Sequence, residues 1–262
     1  MEAATAVDEQ SLPDPETFAR NYQLEALETA KKKNTIIFLE TGSGKTLIAV
    51  MLLRSYAYAI RKPSRHIAVF LVPTVVLVNQ QAKVIEMHTD LKVGKFWGEM
   101  GVDLWDARTW NEKLNEFEVF VMTPQILLDN LRHTFFKLSD IKLLVFDECH
   151  HARGRTPYAC IMTEFYHHHL SFSDELPRIL GMTATLVNSK GSNSRFVYEK
   201  QISELENLMN SKVYTVPSEL ELSPYVSFPT PKIKLYEHLH SPQQEKLFDH
   251  LMGQLKFLKR KV

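Results

Sequence analysis

Leu39-Glu40-Thr41-Gly42-Ser43-Gly44-Lys45-Thr46 joins a short β-rich run, Thr35-Ile36-Ile37-Phe38-Leu39, to a long apolar helical stretch from Lys45 to about Ile60. The junction decides the fold. A glycine turn between a strand and a helix lets backbone N–H groups wrap phosphate oxygens, because glycine permits close approach. The helix N-terminus behind the turn adds positive potential. At this spacing Lys45 can reach the β- and γ-phosphates of a nucleoside triphosphate, and the Thr46 hydroxyl can ligate Mg2+. Leu39 stands where the strict pattern G-x-x-x-x-G-K-[ST] has its first glycine. A chance turn is the alternative, and the strand–loop–helix context speaks against it.

Outward from the turn, the chain alternates. Residues 17–33 read as a helix, with Leu24, Leu27 and Ala30 at helical spacing. Unbroken apolar runs follow at Ile67–Val72, Val119–Met122, Lys142–Phe146 and Arg178–Met182, with helical stretches at Leu77 to about Met87 and Gln125–Leu131. Strands buried on both faces have this unbroken character, and strands separated by helices imply βαβ units. The expected fold is α/β, a doubly wound parallel sheet over residues 17–215. Ligands in such sheets bind at the loops beyond the C-terminal strand ends.

Asp147-Glu148-Cys149-His150 follows directly on the run Lys142–Phe146. An acid at a strand end beside a phosphate loop is the usual second ligand of the metal in such ATPases. Asp147 is therefore the candidate to hold Mg2+ with Thr46. Glu148 is the candidate to orient and deprotonate the attacking water.

Gly42-Ser43-Gly44-Lys45-Thr46 together with Asp147-Glu148-Cys149-His150 resembles the superfamily-two DExH helicases. Four further stretches fit, in the family's order, within residues 18–186. Tyr22-Gln23 looks like the Q motif, which implies that Gln23 reads the adenine edge. Val72-Pro73-Thr74 and Met122-Thr123-Pro124 look like the motifs that hold the nucleic-acid backbone, which implies RNA contacts by Pro73, Thr74, Thr123 and Pro124. Gly181-Met182-Thr183-Ala184-Thr185 looks like the motif coupling hydrolysis to motion, which gives Thr183 and Thr185 that role and His150 a linking one. The resemblance implies a RecA-like P-loop fold, with ATP and Mg2+ as cofactors.

Asp147-Glu148-Cys149-His150-His151 and Gly181-Met182-Thr183-Ala184 are similar to the Dicer and antiviral RNA-sensor branch. Tyr56-Ala57-Tyr58, Met87–Gly94, Pro157–Met162 and Leu208–Tyr214 look like plant Dicer homologs of the second type. The resemblance implies processing of long double-stranded RNA into small interfering RNAs, for silencing and antiviral defence. It also implies double-stranded-RNA-binding partner proteins and a location in the nucleus, the cytoplasm or both. Thr185 departs from that branch, which usually has Ser there; both carry a hydroxyl.

The rest of the composition bounds this reading. Of 262 residues, 44% are hydrophobic and 24% charged, which excludes a disordered, collagen-like or membrane-bundle chain. Lys plus Arg and Asp plus Glu are each 31, so any nucleic-acid contact must be local. The scattered candidates are Lys83, Lys92, Lys95, Arg132, Arg153 and Arg155. Two cysteines, Cys149 and Cys160, build no disulfide scaffold and fit a reducing compartment. Residues 1–16 hold five acids and no base, unlike a targeting signal, and are expected to form a disordered acidic tail. The longest apolar run, near 67–78, is interrupted by Pro73 and is too short for a membrane span.

Residues 216–262 carry Pro217, Pro224, Pro229 and Pro231 and then a helix start at Ser241-Pro242-Gln243-Gln244; they read as a connector and the beginning of a helical extension. The chain has no Gln-x-x-Gly-Arg-x-Gly-Arg run and no room for ribonuclease III segments. The expectation is an ATP-binding lobe, a fragment whose second helicase lobe is absent.

Plainer readings stand beside these. His167-His168-His169 lacks the spacing of a zinc site and reads as a solvated helical stretch. Cys149 reads as a small buried residue. His150 can be a packed histidine, and Trp97, Trp105 and Trp110 can be core or base-stacking groups. Alternatives for the whole chain are an RNA-sensor-type helicase lobe, a non-catalytic fragment binding RNA or partner proteins, and a P-loop ATPase without an RNA role.

Overall fold

The computed structural model describes residues 14–170, 172, 175–186 and 195–216. The chain enters through helix α1 (Asn21–Lys32) and strand β1 (Thr35–Phe38). It continues through α2 (Lys45–Ile60), β2 (Ile67–Leu71), α3 (Val75–His88) and β3 (Val93–Phe96). Next come α4 (Ala107–Glu116), β4 (Val119–Met122), α5 (Pro124–Arg132) and β5 (Ile141–Asp147). After β5 lie the short helices α6 (Pro157–Cys160) and α7 (His167–Leu170), joined by a π-helical turn at Ile161–Tyr166. β6 (Arg178–Thr183), α8 (Arg195–Leu208) and β7 (Lys212–Tyr214) complete the described part.

All pairings are parallel, and the strand order is β3-β4-β2-β5-β6-β1-β7. Successive side chains of a strand point to opposite faces, so an unbroken apolar strand feeds two cores. Ile37, Phe70, Val121, Val145 and Met182 pack on one side against residues of α1, α2 and α3. Ile36, Leu71, Phe120, Phe146 and Ile179 pack on the other against α4, α5, α8 and the helical segment after β5. The expected doubly wound sheet is therefore present.

Sequence reading found the central strands and passed over β3 and β7. Both are edge strands, each paired on one side only among the described residues. Val93-Gly94-Lys95-Phe96 alternates half-buried and buried, and Lys212-Val213-Tyr214 is exposed to half-buried, so neither forms an apolar run. Helices α4 and α8 were also passed over. Trp110 and Leu114 on α4 are buried, and Trp110 joins Phe96, Phe120 and Phe136 in an aromatic cluster. Trp110 is a core residue; Trp105, 5.1 Å from it between ring centroids, packs on the same cluster.

The tail expected to be disordered over 1–16 is corrected at its end. Asp14 caps a 3-10 turn at Pro15–Thr17, accepting from the Glu16 N–H at 3.1 Å, and Pro15 is buried. Proline presets φ for such a turn, and the aspartate satisfies a free N–H. Residues 1–13, and the connector and helix start beyond Val216, lie outside the described residues. Among the described residues no helix is long and apolar enough to cross a membrane.

Gly181 packs β6 against the turn after β5. A Cβ there would stand 3.0 Å from Cys149 Sγ and 3.1 Å from Ile36 Cγ1. Overpacking of this kind costs roughly 1–3 kcal/mol. Gly181→Val is expected to lower stability to urea by about that amount, whereas Val at the exposed Gly98, with open space around it, leaves it nearly unchanged.

Candidate nucleotide and nucleic-acid sites

Strand order sets the site. β6 lies between β5 and β1, so the loops after β1, β5 and β6 meet at one end of the sheet. The loop after β1 turns on two left-handed residues, Gly42 and Gly44, both at φ 82°. Gly44 has a second reason to be glycine: a Cβ there would collide with the Gln23 amide.

α1 braces this loop. The Tyr22 hydroxyl donates to the Ser43 carbonyl at 2.6 Å and Gln23 Nε2 donates to the same oxygen at 2.9 Å. Gln23 Oε1 accepts from the Arg20 N–H at 2.9 Å. The amide of Gln23 is thus committed at both ends to the loop and to its own helix start. Tyr22 carries as much of the brace as Gln23, a part that the sequence reading did not give it.

Lys45 folds back over the loop, its Nζ donating to the carbonyls of Leu39 at 2.8 Å and Glu40 at 3.1 Å. Burial pushes its pKa down, while the charges of Glu148, Asp147 and Glu40 push it up. Ser43 is fully buried, and its hydroxyl has no hydrogen-bond partner among the described residues. Thr41 and Glu40 are exposed, and Thr46 is half-buried at the start of α2.

Asp147 ends β5 with only 8% of its surface exposed. Its Oδ1 accepts from the Glu148 N–H at 3.1 Å and its Oδ2 from Gln81 Nε2 at 3.3 Å. Burial first, and the Glu148 charge second, raise its pKa from 3.8 to about 6. Tyr158 lies under this strand end, its hydroxyl 2.8 Å from the Asp147 carbonyl and 3.2 Å from that of Leu71. Glu148 itself is held at φ 48°, a left-handed conformation that costs a non-glycine residue roughly 1–2 kcal/mol.

The three coupling candidates form one relay. His150 Nδ1 lies 2.8 Å from Thr183 Oγ1 and 3.2 Å from Glu148 Oε2. Thr183 Oγ1 donates to the Thr185 carbonyl at 2.7 Å and accepts from the Thr185 N–H at 3.0 Å. Thr185 joins through its backbone, and so Thr in place of Ser leaves these bonds in place. Burial lowers the His150 pKa, with His151 adding to the effect. Cys149 is fully buried and its thiol is pushed far up, so it is a packing residue and no nucleophile.

Pro73, Thr74, Thr123 and Pro124 lie elsewhere on the same rim, at the C-terminal ends of the neighbouring strands β2 and β4. Thr74 caps α3, accepting from the Leu77 N–H at 3.4 Å, and Thr123 and Pro124 start α5. Two helix N-termini thus stand side by side, joined by the bond from the Val72 N–H to the Met122 carbonyl at 3.1 Å. Of the basic candidates, Arg132 is paired bidentately with Glu164, Lys95 with Glu86, and Arg153 donates to the Leu186 carbonyl. Among the described residues no group of three or more His, Cys, Asp or Glu is arranged to hold a metal ion.

Grouping these loops at one end of a parallel sheet is the arrangement of a P-loop nucleotide-binding domain. Residues 20–191 match the DEAD/DEAH box helicase family, and the chain belongs to that family. Nucleotide binding with a divalent metal follows from the membership. The chain is 69% identical over 224 residues to endoribonuclease Dicer homolog 2b of Oryza sativa subsp. japonica, which covers 84% of this chain and 16% of the relative. It is 60% identical over 243 residues to endoribonuclease Dicer homolog 2 of Arabidopsis thaliana, covering 92% of this chain and 17% of the relative. It thus spans about one sixth of the length of these curated relatives. The helicase domain of Pyrococcus furiosus Hef superposes with a TM-score of 0.61 at 27% identity, over 80% of this chain and 41% of that one.

A carboxylate whose pKa is raised by burial destabilises the fold once it ionises. For Asp147 the penalty begins above about pH 4, the ordinary aspartate range, and is complete above the folded value of about 6. At pH 8 it amounts to about 2–3 kcal/mol. Asp147→Asn is therefore expected to be more stable to urea than the wild type at pH 8, and the gain should vanish at about pH 4.

Proposed function

We propose that the chain is the ATP-binding lobe of a Dicer-like helicase that engages double-stranded RNA. The observation that carries the reading is the meeting of Lys45, Asp147 and Glu148 beside the Gly42–Gly44 turn. The donor set suits a divalent cation and a triphosphate: a nearly buried carboxylate with a raised pKa, a hydroxyl at Thr46 directly after Lys45, and buried acceptors at Ser43 and Gln81 without partners among the described residues.

On this reading residues 39–46 cradle the phosphates, with the backbone from Gly42 to Thr46 donating and the Lys45 ammonium leaving the Leu39 and Glu40 carbonyls to neutralise the β- and γ-oxygens. Thr46 and Asp147 would hold Mg2+, which would offset the negative charge that develops on the phosphates. Glu148 orients water and accepts its proton. Gln23 meets the base while its amide keeps the loop braced. Pro73, Thr74, Thr123 and Pro124 present helix N-termini to the RNA backbone, a neutral way of binding phosphate that agrees with a zero net charge. His150, Thr183 and Thr185 carry the state of the nucleotide to the rest of the lobe.

In the whole protein the proposed role is production of small interfering RNAs from long double-stranded RNA, with double-stranded-RNA-binding proteins as partners. The 262-residue chain carries no arginine-finger run. Such a finger is worth ~10³–10⁵ in rate, so the isolated chain is expected to bind ATP and turn it over slowly. RNA-stimulated hydrolysis by the chain alone at ordinary helicase rates would refute that part. Lys45→Ala removes a charge-assisted contact worth about 1.5–3 kcal/mol. Equilibrium titration should show ATP affinity falling roughly 10- to 100-fold; unchanged affinity would overturn the assignment of the site.

A further inference from the structure

Helix α3 carries a polar residue where its buried stripe calls for an apolar one. Val78, Ala82 and Ile85 form that stripe, and Gln81 sits among them with 6% of its surface exposed. Burying an amide without bonding it fully destabilises a fold, and native proteins keep few such groups. Gln81 is half bonded. Its Nε2 donates to Asp147 Oδ2 at 3.3 Å, while its Oε1 is buried and has no partner among the described residues. Oε1 shares a carbon with Nε2, so it lies within the span of one water from the Asp147 carboxylate. A water on a divalent cation is a strong donor, and Mg2+ in phosphate sites keeps several of its waters. Losing a group that orients a metal ligand typically costs about 10- to 100-fold in metal affinity.

We propose that Gln81 is a positioning residue of the divalent-cation site, orienting the Asp147 carboxylate through Nε2 and accepting from a cation-bound water through Oε1. The proposal rests on the nucleotide-site reading above. It also ties that site to α3, whose N-cap is Thr74 on the rim proposed for RNA.

The test titrates Mg2+ into the 262-residue chain mixed with a fluorescent, non-hydrolysable ATP analogue and records binding at equilibrium, so that no turnover is needed. Gln81→Met keeps the length of the side chain and removes both polar atoms. It is expected to raise the Mg2+ concentration for half-maximal binding by about tenfold or more. Binding at saturating Mg2+ should stay within about twofold of the wild type. The melting temperature without nucleotide should be held, since an unsatisfied acceptor is removed along with one long hydrogen bond. Gln81→Asn, which withdraws the amide by one methylene, should shift the Mg2+ requirement in the same direction. Gln80→Met, on the exposed face of the same helix, should not shift it.

A lowered melting temperature with an unchanged Mg2+ requirement would make Gln81 a structural residue and overturn the proposal. If Gln81→Met does not fold, Gln81→Asn decides by the same readout. Failure of the wild type to bind the analogue at any Mg2+ concentration would overturn the nucleotide-site reading and this inference with it. Wild-type binding with a normal Mg2+ dependence in both Gln81 variants would sink this inference alone.

Discussion

A negative charge at the end of the central strand β5 organises this molecule. Asp147 is nearly out of water, and its nearest charged neighbour in sequence, Glu148, carries the same sign. The protein around it compensates only in part. The Glu148 N–H and Gln81 Nε2 each donate one bond, and Lys45 contributes attraction while its own bonds go to the Leu39 and Glu40 carbonyls. Together these do not restore the ordinary pKa, so the carboxylate is left wanting a cation. The strained backbone at Glu148 belongs to the same design: it turns the chain sharply enough to keep the second acid beside the first. Stability is lost at this strand end in exchange for a site ready to receive positive charge.

The sheet turns that local condition into a division of labour. All seven strands run parallel, so every strand end that faces α-helix N-termini lies on one rim. β5, β6 and β1 bring together the groups that suit a triphosphate, and β2 and β4 bring together Thr74 and Thr123 at two helix starts. β2 and β5 are hydrogen-bonded neighbours, from Ile67 opposite Ile141 to Leu71 opposite Phe146. The Tyr158 hydroxyl bridges the carbonyls of Leu71 and Asp147 at just that border. No long lever is needed to connect the two halves, since they share a strand pair, a tyrosine and the side of α3.

Much of this was legible in the sequence, for physical reasons that differ from element to element. The central strands could be read because burial on both faces demands unbroken apolar runs, and the phosphate loop because close approach demands glycine. The edge strands β3 and β7 lack the first demand and so lack the signal. Tyr158 and Gln81 were missed for another reason: their partners are main-chain carbonyls or a carboxylate 66 positions away, which no local pattern encodes. Gln81 did leave a trace, a polar residue in the stripe of Val78, Ala82 and Ile85. The motif singles out Gln23 for the adenine edge, and the structure shows its amide bonded to the loop at the Ser43 carbonyl. That bracing role follows only from the three-dimensional crossing of α1 over Ser43.

His150 shows how burial selects a protonation state that the site can use. Its Nδ1 is within 3.2 Å of the Glu148 carboxylate, close enough for an ion pair if the imidazole were charged. A charged imidazole would pair with the Glu148 carboxylate and tie it down, which opposes the water-activating role proposed for it. Burial and the neighbouring His151 shift the balance toward the neutral ring. A neutral ring with its proton on Nδ1 can still donate to Thr183 Oγ1, which then donates onward to the Thr185 carbonyl. One hydroxyl thus accepts from the Thr185 N–H and from His150 and donates once, which fills its hydrogen-bonding capacity. Such a relay links the three residues by hydrogen bonds, with no ion pair in it. Thr183 Oγ1 also lies 3.4 Å from Glu148 Oε2, so the carboxylate, the imidazole and the hydroxyl form one compact cluster between the ends of β5 and β6.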